Sequence, residues 1–494
     1  MADSRSGLLA VHADIIWRSH PEPTPRKRAQ AGGPRRRINR RPPDHNEERT
    51  KDADQPRKAT TRMLTPARVL DIEIGASMPV VDAPAHPDGG RYRAAWVLVR
   101  LHGCPLGTVQ FDLANGPVSA EQVADRTWET LRTPILAHLA EDRLPTVETL
   151  GISGIAHEGE PPCQHAEEVS FPFTSVVIST HERPGPLSLC IDSVLRADYP
   201  SFEVLVVDNA PRTSATRDMI AERYAGDPRV RYLLEPAPGA SAGRNCGLRA
   251  ATGEVVAFLD DDVLADRLWL RNLVLGFQAA PGIACVTGMI LPAELETPAQ
   301  VWIEEFGGFD KGYQRQIFDL GEFAPPDPLY PYAVGKFGSG ASAAFDPAVL
   351  RSVGGFDTAL GPATPARGGE DIDAFLQIIL AGYRLVYEPR SLVRHHHRRD
   401  YSDLRRTVQG YGVGLSAVVT KALMNPATRA DVLKRVPRGV VYFLNPSSSK
   451  NEKKTSTFPR QLTLMELSGA LMGPWYYLRS RRWARTVARA GRAS

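Results

Sequence analysis

The chain has 494 residues, of which 42% are hydrophobic and 23% are charged. This ordinary globular composition excludes a wholly disordered chain, a collagen-like fibre and a small disulfide-rich protein, and the length predicts about two or three domains. The net charge of +4 is concentrated at one end, because residues 1–62 carry 15 Lys and Arg against 8 Asp and Glu. The remainder is slightly acidic, so a basic nucleic-acid-binding protein is excluded. We expect the Arg- and Pro-rich segment 1–62 to be a disordered tail.

The five cysteines, Cys104, Cys163, Cys190, Cys246 and Cys285, lie far apart in the sequence and form no CxxC pair. This spacing is typical of a protein from a reducing compartment and argues against a zinc site or a disulfide framework. No apolar run approaches the roughly 18–20 residues that span a bilayer, and the N-terminus lacks the apolar core of a signal peptide. We therefore expect a cytoplasmic protein.

Residues 63–150 have the pattern of a small α+β domain. Apolar runs at 68–74 and 94–101 predict strands, and residues 119–142 predict a helix that begins near Ser119. No glycine-rich loop and no cluster of His, Asp and Glu is recognisable in this sequence, so its role is open. The polar segment 151–170, with two adjacent prolines, predicts a linker.

From residue 171 onward, short β-branched runs alternate with helical segments. The predicted strands are 175–180, 204–209, 230–235 and 254–260, and the predicted helices between them are 186–196, 214–225 and 242–251. This alternation predicts a mostly parallel sheet with helices on both faces. Ligands of such sheets bind at the carboxyl ends of the strands. The polar residues at those ends are therefore functional candidates: Thr180 to Glu182, Asp208 to Asn209, and Asp260 to Asp262.

The most specific motif is Asp260-Asp261-Asp262, which directly follows an apolar strand. Three crowded carboxylates repel one another unless a positive charge lies among them, and a hard divalent cation that also binds phosphate oxygens supplies that charge. Because side chains alternate along a strand, we expect Asp260 and Asp262 on one face and Asp261 on the other. The alternative is a solvated acidic loop, which is less favoured at a strand end of a β/α domain.

A loop rich in small residues, 238–247, leads into a predicted helix and places Arg244 and Asn245 in its early part. Helix N-termini and arginines both favour anions. By itself this pattern indicates a plain loop more strongly than a phosphate site.

Four segments taken together resemble the family 2 glycosyltransferases of the GT-A fold: SVVISTHERP, EVLVVDNA, GASAGRNCGLRAATGEVVAFLDDD and GGEDIDAFLQIILAGYRLVYEP. The similarity covers roughly residues 171–400, and the motifs agree in type, order and spacing. The resemblance implies a GT-A, Rossmann-like catalytic domain with a mixed, mostly parallel sheet in this range. It also implies inverting transfer of a sugar from a nucleoside-diphosphate sugar to an acceptor hydroxyl, in glycan, glycolipid or cell-envelope biosynthesis.

Several site residues follow from the resemblance. Thr180 and Asp208 correspond to positions that contact the nucleoside of the donor, and the three aspartates correspond to the DXD motif, which binds the metal and the diphosphate. We therefore expect Asp260 and Asp262 to bind Mn²⁺ or Mg²⁺, and Asp260 and Asp261 to contact the donor. Glu182, Arg244 and Asn245 are further donor-binding candidates. We expect a UDP-sugar as the donor and a glycan or lipid-linked acceptor.

A catalytic base is expected in the acidic segment 368–373, at the start of a helix. The acceptor hydroxyl is a poor nucleophile and needs a carboxylate within hydrogen-bond reach. Asp371 falls at the family's catalytic-base position and is the first candidate, and Glu370 is the second. Acidic residues in a first helical turn also complement the helix dipole, and we expect this alternative role for at least one of Glu370, Asp371 and Asp373.

The run His395-His396-His397 follows two short apolar segments. Neutral imidazoles bind metals, and the sequence Val393-Arg394-His395 resembles a V-x-H pattern that supplies a metal ligand in some members of the family. His395 is therefore the third candidate metal ligand. An exposed or structural role is the alternative for each histidine.

Residues 401–494 predict a helical extension. After residue 477 the chain contains six arginines and no acidic residue, next to the aromatic segment 475–477. Aromatic and arginine residues together are typical of helices that dock on an anionic membrane surface, so we expect peripheral contact with the inner face of the membrane. A surface helix packed on the catalytic domain is an equally weighted alternative.

Two other classes of function fit part of the pattern. A nucleotidyltransferase also joins a β/α fold to metal-binding carboxylates, but no glycine-rich Lys/Arg signature follows the first strand. A non-catalytic sugar-nucleotide-binding scaffold needs no base, whereas this sequence has acidic residues at both the donor and the base positions.

Overall fold

The computed structural model describes residues 65–490, apart from 88, 158–160, 162, 164–169, 308, 310, 446, 447, 449, 452, 453, 456 and 457. The predicted disordered tail at 1–62 lies outside the described residues, and so does half of the predicted linker at 151–170. The described residues all fall within one compact unit. The domain boundaries at 63–150, 171–400 and 401–494 stay predictions.

The N-terminal part of this unit is a small three-stranded sheet covered by one long helix. The strands are β1 (Ala67–Glu73), β2 (Ala94–Leu101) and β3 (Cys104–Asp112), and the helix is α1 (Ala120–Glu141). β1 pairs parallel with β2, and β2 pairs antiparallel with β3. β1, β2 and α1 lie within one residue of their predicted bounds. β3 was not predicted, because Pro105 and Gly107 are untypical of strands.

A nine-stranded sheet forms the centre of the molecule. Its strands are β4 (Thr174–Thr180), β5 (Phe202–Asn209), β6 (Val230–Glu235), β7 (Val255–Asp260), β8 (Val263–Ala265), β9 (Ile283–Pro292), β10 (Gln316–Phe318), β11 (Ser342–Phe345) and β12 (Arg384–His395). The order is β6-β5-β4-β7-β11-β9-β12-β10, with β8 paired to β12. β8, β10 and β11 run opposite to the other six strands. The predicted mixed, mostly parallel sheet is confirmed.

Ten further helices complete the described chain. They are α2 (Pro184–Leu195), α3 (Ala215–Arg223), α4 (Ala240–Ala250), α5 (Trp269–Leu275), α6 (Pro298–Phe306), α7 (Pro347–Ser352), α8 (Glu370–Leu380), α9 (Tyr401–Met424), α10 (Pro426–Leu444) and α11 (Arg460–Ala490). The predicted helical C-terminal region is thus confirmed as α9 to α11. None of the described helices is long and apolar enough to cross a membrane.

Alternate residues of β4 enter two different apolar cores. Val177 packs in a core that also contains Leu248 of α4 and Phe375 of α8. Val176 packs in a second core with Ile191 of α2. Because successive strand residues point to opposite faces, these two cores lie on the two faces of the sheet, and the prediction of helices on both faces is confirmed.

Helix α4 lies unusually close to the sheet. A Cβ on Gly243 would lie 2.2 Å from Oγ of Ser179, and one on Gly247 would lie 2.2 Å from a methyl carbon of Val177. The two glycines are one helical turn apart and therefore share a face. Because these glycines lack side chains, α4 rests directly on β4. This close packing fixes the position of Arg244, which lies between the two glycines in the sequence.

Candidate active site

A cavity of about 2230 Å³ opens at the carboxyl ends of the central strands. β4 and β7 are parallel neighbours with Ser179 opposite Asp260, so Thr180 and the three aspartates emerge at the same edge. The first turn of α8 and residues of α9, α10 and α11 also line the cavity. The aspartates after β7 and the acidic residues at the start of α8 therefore line the same cavity.

The three predicted metal ligands converge at this edge. One ligand atom each of Asp260, Asp262 and His395 lies within 4.8 Å of the others, and Nε2 of His395 is 3.3 Å from Oδ1 of Asp262. The pairing of β8 with β12 causes this approach, because it puts Val263 opposite His395. Two carboxylates and one imidazole thus form a candidate cation site that opens into the cavity.

Asp261 lies outside this ligand cluster. Because β7 ends at Asp260 and residues 261–262 form a turn, strand alternation does not govern its direction. Its carboxylate accepts hydrogen bonds from Oγ1 of Thr180 at 2.6 Å and from Nη1 of Arg183 at 2.6 Å. Burial raises the pKa of Asp261 to about 6, although the charge of Arg183 opposes that shift. Thr180 and Arg183 therefore fix the backbone turn that presents Asp260 and Asp262.

Asp262 lies among cations. Nη2 of Arg183 donates to Oδ2 of Asp262 at 3.0 Å, and Nη1 of Arg398 is 3.8 Å from the same oxygen. Burial disfavours the charged form, but the hydrogen bond from His395 and the charges of Arg183 and Arg398 hold the pKa of Asp262 below its usual range. Asp262 is therefore an ionised carboxylate, the form that binds cations.

Arg244 joins the two acidic regions. Its Nη2 donates to Oδ1 of Asp260 at 2.9 Å, and its Nη1 donates to Oε1 of Glu370 at 2.6 Å. Glu370 is only 5% exposed, and burial raises its pKa to about 7 even though Arg244 opposes the shift. The guanidinium thus ties the strand end of β7 to the first turn of α8.

Asp371 is the more accessible carboxylate of that turn. It is half-buried, it lines the cavity, and its Oδ2 accepts the N–H of Gly340 at 2.8 Å. A Cβ on Gly340 would lie 2.6 Å from Cβ of Asp371, so only glycine permits this approach. Asp373 is buried instead and accepts a hydrogen bond from Nζ of Lys421 in α9 at 2.7 Å, a structural role.

Three predicted donor-binding residues bond to the protein itself. Asp208 is fully buried and accepts from the Tyr232 hydroxyl at 3.0 Å, and burial raises its pKa. Glu182 holds the loop after β5 through the N–H of Arg212 at 2.7 Å. Asn245 bonds to the backbone of Phe356 through its Oδ1 and its Nδ2. None of Asp208, Glu182 and Asn245 is among the described residues that line the cavity, so their donor role stays a prediction.

Of the arginines around the histidine run, one faces the candidate metal site and two pair with acidic residues elsewhere. Arg398 faces Asp262, whereas Arg394 pairs with Asp71 and Arg399 with Glu294. Arg183 is a site residue that the sequence pattern did not single out. The signal that the sequence offered is the position of Arg183, which follows the end of β4 by three residues in the segment SVVISTHERP.

A mixed α/β sheet with clustered carboxylates at its strand ends, and a second acidic pair on the same cavity, are the features that the resemblance to glycosyltransferases implies. Residues 175–327 match the model of the family described as "Glycosyl transferase family 2". This match confirms the resemblance that the sequence predicts for the central region.

The chain is similar to several individual proteins. The chain is 36% identical over 204 residues to a pre-mycofactocin glycosyltransferase from Mycobacterium tuberculosis, which covers 41% of this chain and 39% of that protein. It is 26% identical over 255 residues to a glucosyl-dolichyl phosphate glucuronosyltransferase from Haloferax volcanii, and the match covers 48% of this chain and 75% of that protein. A mannosyltransferase from Pyrobaculum calidifontis, solved with GDP-Man and Mn²⁺, has a TM-score of 0.41 at 21% identity, and the match covers 64% of this chain and 84% of that one. The chain spans less than half the length of the Mycobacterium relative.

Proposed function

We propose that the protein transfers a sugar from a UDP-sugar to an acceptor hydroxyl, with inversion at the anomeric carbon and with the help of a divalent cation. The observation that carries this proposal is the convergence of two acidic groups on one cavity. Asp260 and Asp262, together with His395, line this cavity, and so does Asp371. Arg244 is bonded to both Asp260 and Glu370.

The ligand set fits Mn²⁺ or Mg²⁺. Asp260 and Asp262 would supply carboxylate oxygens and His395 a nitrogen, and the nitrogen favours Mn²⁺ of the two. A cation held there would neutralise the negative charge that develops on the departing diphosphate.

The arginines of the site complement that charge. Arg183 and Arg398 lie beside Asp262, where their guanidinium groups are within reach of diphosphate oxygens bound at the same place. Guanidinium groups suit phosphate because they donate several hydrogen bonds in a fixed plane. We infer that Arg183 both orients the aspartates and binds the donor diphosphate.

Asp371 is the proposed base. It accepts the proton of the acceptor hydroxyl as the hydroxyl oxygen bonds to the anomeric carbon, and the nucleoside diphosphate leaves from the opposite face with the electrons of the broken bond. A single displacement of this kind inverts the anomeric configuration. Glu370 is bonded to Arg244 and acts as a positioning residue.

The C-terminal helices favour a lipid-linked acceptor. Exposed apolar side chains on α10 and α11 include Leu433, Val440, Val441, Leu444, Leu471 and Trp475. Of these, Val440, Leu444 and Leu471 line the cavity. Exposed arginines follow on α11, including Arg479, Arg482 and Arg485. Apolar side chains beside cations suit the surface of an anionic membrane. We therefore propose that α10 and α11 contact the inner face of the membrane and guide a lipid-linked acceptor into the cavity.

The names of the relatives point to different acceptors. The Haloferax protein is named for glucosyl-dolichyl phosphate, and the Mycobacterium protein for pre-mycofactocin. The first agrees with the apolar surface of α10 and α11, and this agreement is why we propose a lipid-linked acceptor and a role in glycan, glycolipid or cell-envelope biosynthesis.

A thermal-shift screen tests the donor site. Nucleoside diphosphates and their sugars are added with Mn²⁺ or Mg²⁺, and a ligand at 100 times its Kd should stabilise the fold by about 2.7 kcal/mol. We expect UDP and a UDP-sugar to raise Tm in the wild type and in Glu254→Ala, an exposed residue immediately before β7, but not in Asp262→Ala.

The products of turnover separate the classes of function. Release of the nucleoside diphosphate supports sugar transfer, whereas release of diphosphate would indicate nucleotidyl transfer. A UDP-dependent shift that survives Asp262→Ala would show that the aspartate cluster is not the donor site. Donor binding without any release would favour a scaffold.

A further inference from the structure

A second cluster of potential metal ligands is formed by residues of β2–β3, the end of α1 and the segment after α1, and shares no residue with the candidate active site. It consists of His102, His138, Asp142 and Cys163, with one ligand atom of each within 4.8 Å of the others. None of the four is among the described residues that line the catalytic cavity. The cluster therefore needs an explanation separate from glycosyl transfer.

His102 is held in place by its backbone. His102 and Gly103 form the tight turn between β2 and β3, with φ of 56° and 77°, a left-handed conformation typical of two-residue hairpin turns. The carboxylate of Glu73 accepts the N–H of His102 at 2.9 Å and that of Gly103 at 2.8 Å. The ring of His102 is thus aimed at the end of α1.

The other three ligands come from the end of α1 and from the segment after it. His138 and Asp142 are four residues apart and share one face of the helix end. The N–H of Cys163 donates to Oδ1 of Asp142 at 3.0 Å, which brings the thiol to the same place. Three separate segments of chain therefore meet at this point.

The distances match a tetrahedral zinc site. Sγ of Cys163 is 3.6 Å from Nδ1 of His102 and 3.6 Å from Nε2 of His138. The two ring nitrogens are 3.2 Å apart, and Oδ2 of Asp142 is 2.9 Å from the first and 3.2 Å from the second. With Zn–S of about 2.3 Å and Zn–N of about 2.0–2.1 Å, a tetrahedron puts sulfur about 3.6 Å from nitrogen and two nitrogens about 3.3 Å apart.

The chemistry of the ligands selects the metal. Two imidazoles, one thiolate and one carboxylate suit Zn²⁺, whereas Mg²⁺ and Ca²⁺ prefer oxygen ligands throughout. His102, His138 and Asp142 are buried, and Cys163 is half-buried. Four protein ligands without an open position are typical of structural zinc.

We propose that His102, His138, Asp142 and Cys163 bind a structural Zn²⁺ ion that fastens the β2–β3 turn and the segment around Cys163 to the end of α1. On binding, the thiol of Cys163 loses its proton to solvent and its sulfur bonds to the metal. The proposal is independent of the proposed sugar transfer.

Metal analysis of the full chain, purified without a metal-affinity step, tests this site. We expect about one zinc per chain in the wild type, since a closed site holds one ion. Asp262→Ala and Cys246→Ser should keep the zinc, because the first changes only the catalytic cluster and the second removes a half-buried cysteine of α4. Cys163→Ser should lose it.

Cobalt substitution guards against a variant that merely misfolds. The wild type loaded with Co²⁺ should show tetrahedral visible bands and a thiolate-to-cobalt charge-transfer band. Cys163→His should keep the tetrahedral bands and lose only the charge-transfer band, because it replaces sulfur by nitrogen.

Three results would overturn the proposal. The first is a wild type that contains no zinc and gives no tetrahedral cobalt spectrum. The second is a zinc content that falls in Asp262→Ala and not in Cys163→Ser. The third is a disulfide in the native protein, detected by mass spectrometry, between Cys163 and Cys104, whose thiols are hydrogen-bonded to each other.

Discussion

The two ligand clusters of this protein differ in chemistry and in access. Asp260, Asp262 and His395 supply mainly oxygen, open into a large cavity and lie beside three arginines. The cluster around His102 supplies nitrogen and sulfur as well as oxygen and is mostly buried. An open site with few protein ligands suits a cation that must also contact a substrate, whereas a closed site of four ligands suits a cation that holds the fold together.

The largest expected effect comes from removing metal. Treatment with EDTA should abolish transfer, and Mn²⁺ or Mg²⁺ should restore it, because the catalytic cluster opens into the cavity and offers only three protein ligands. Zinc should stay bound in the same sample, because all four of its ligands belong to the protein. Activity and zinc content are measured on matched aliquots. Parallel loss of both would mean that the two clusters do not differ in access.

Asp371→Asn should reduce kcat by about 10²- to 10⁴-fold, the range for loss of a general base. Because the amide keeps the shape of the carboxylate, the thermal shift caused by UDP should persist. The matched control is Asp346→Asn, which retains a good helix N-cap at α7. Full activity of Asp371→Asn would refute its assignment as the base and would leave helix capping as its role.

A smaller effect is expected from Gly340→Ala. The new methyl group would press on Asp371, and a displacement of about 1 Å in a reacting group costs up to about 100-fold in rate. We expect kcat to fall by about 10- to 100-fold while zinc and donor binding are retained. Gly335→Ala is the control, because Gly335 also lines the cavity but a Cβ there would meet no described atom within 4 Å. Equal rates for the two variants would exclude a role of Gly340 in placing Asp371.

Much of the central sheet could be read from the sequence because its signals are local. Strands β4 to β7 alternate with helices at short spacing, and the aspartates follow β7 directly. The approach of His395 to Asp262 depends on the pairing of β8 with β12, which joins segments about 130 residues apart. A single sequence does not specify such a register.

Contacts between distant segments also explain why the two neighbouring carboxylates at the start of α8 differ in their surroundings. The sequence places Glu370 and Asp371 side by side, and periodicity alone does not distinguish them. The packing of α4 on β4 brings Arg244 to Glu370, and the close approach of Gly340 brings a backbone N–H to Asp371. One carboxylate is therefore buried in an ion pair and the other faces the cavity.

The N-terminal cluster is the clearest case of a feature that only the tertiary structure decides. Its ligands are separated by 36, 4 and 21 residues and include a single cysteine, so they match none of the short Cys and His spacings by which zinc sites are recognised. The sequence by itself determined the family, the alternating strands and helices and the three aspartates, because each depends on residues close together in the chain. The fold decided which distant side chains join them, because hairpin turns, helix ends and strand register bring residues together across long stretches of sequence.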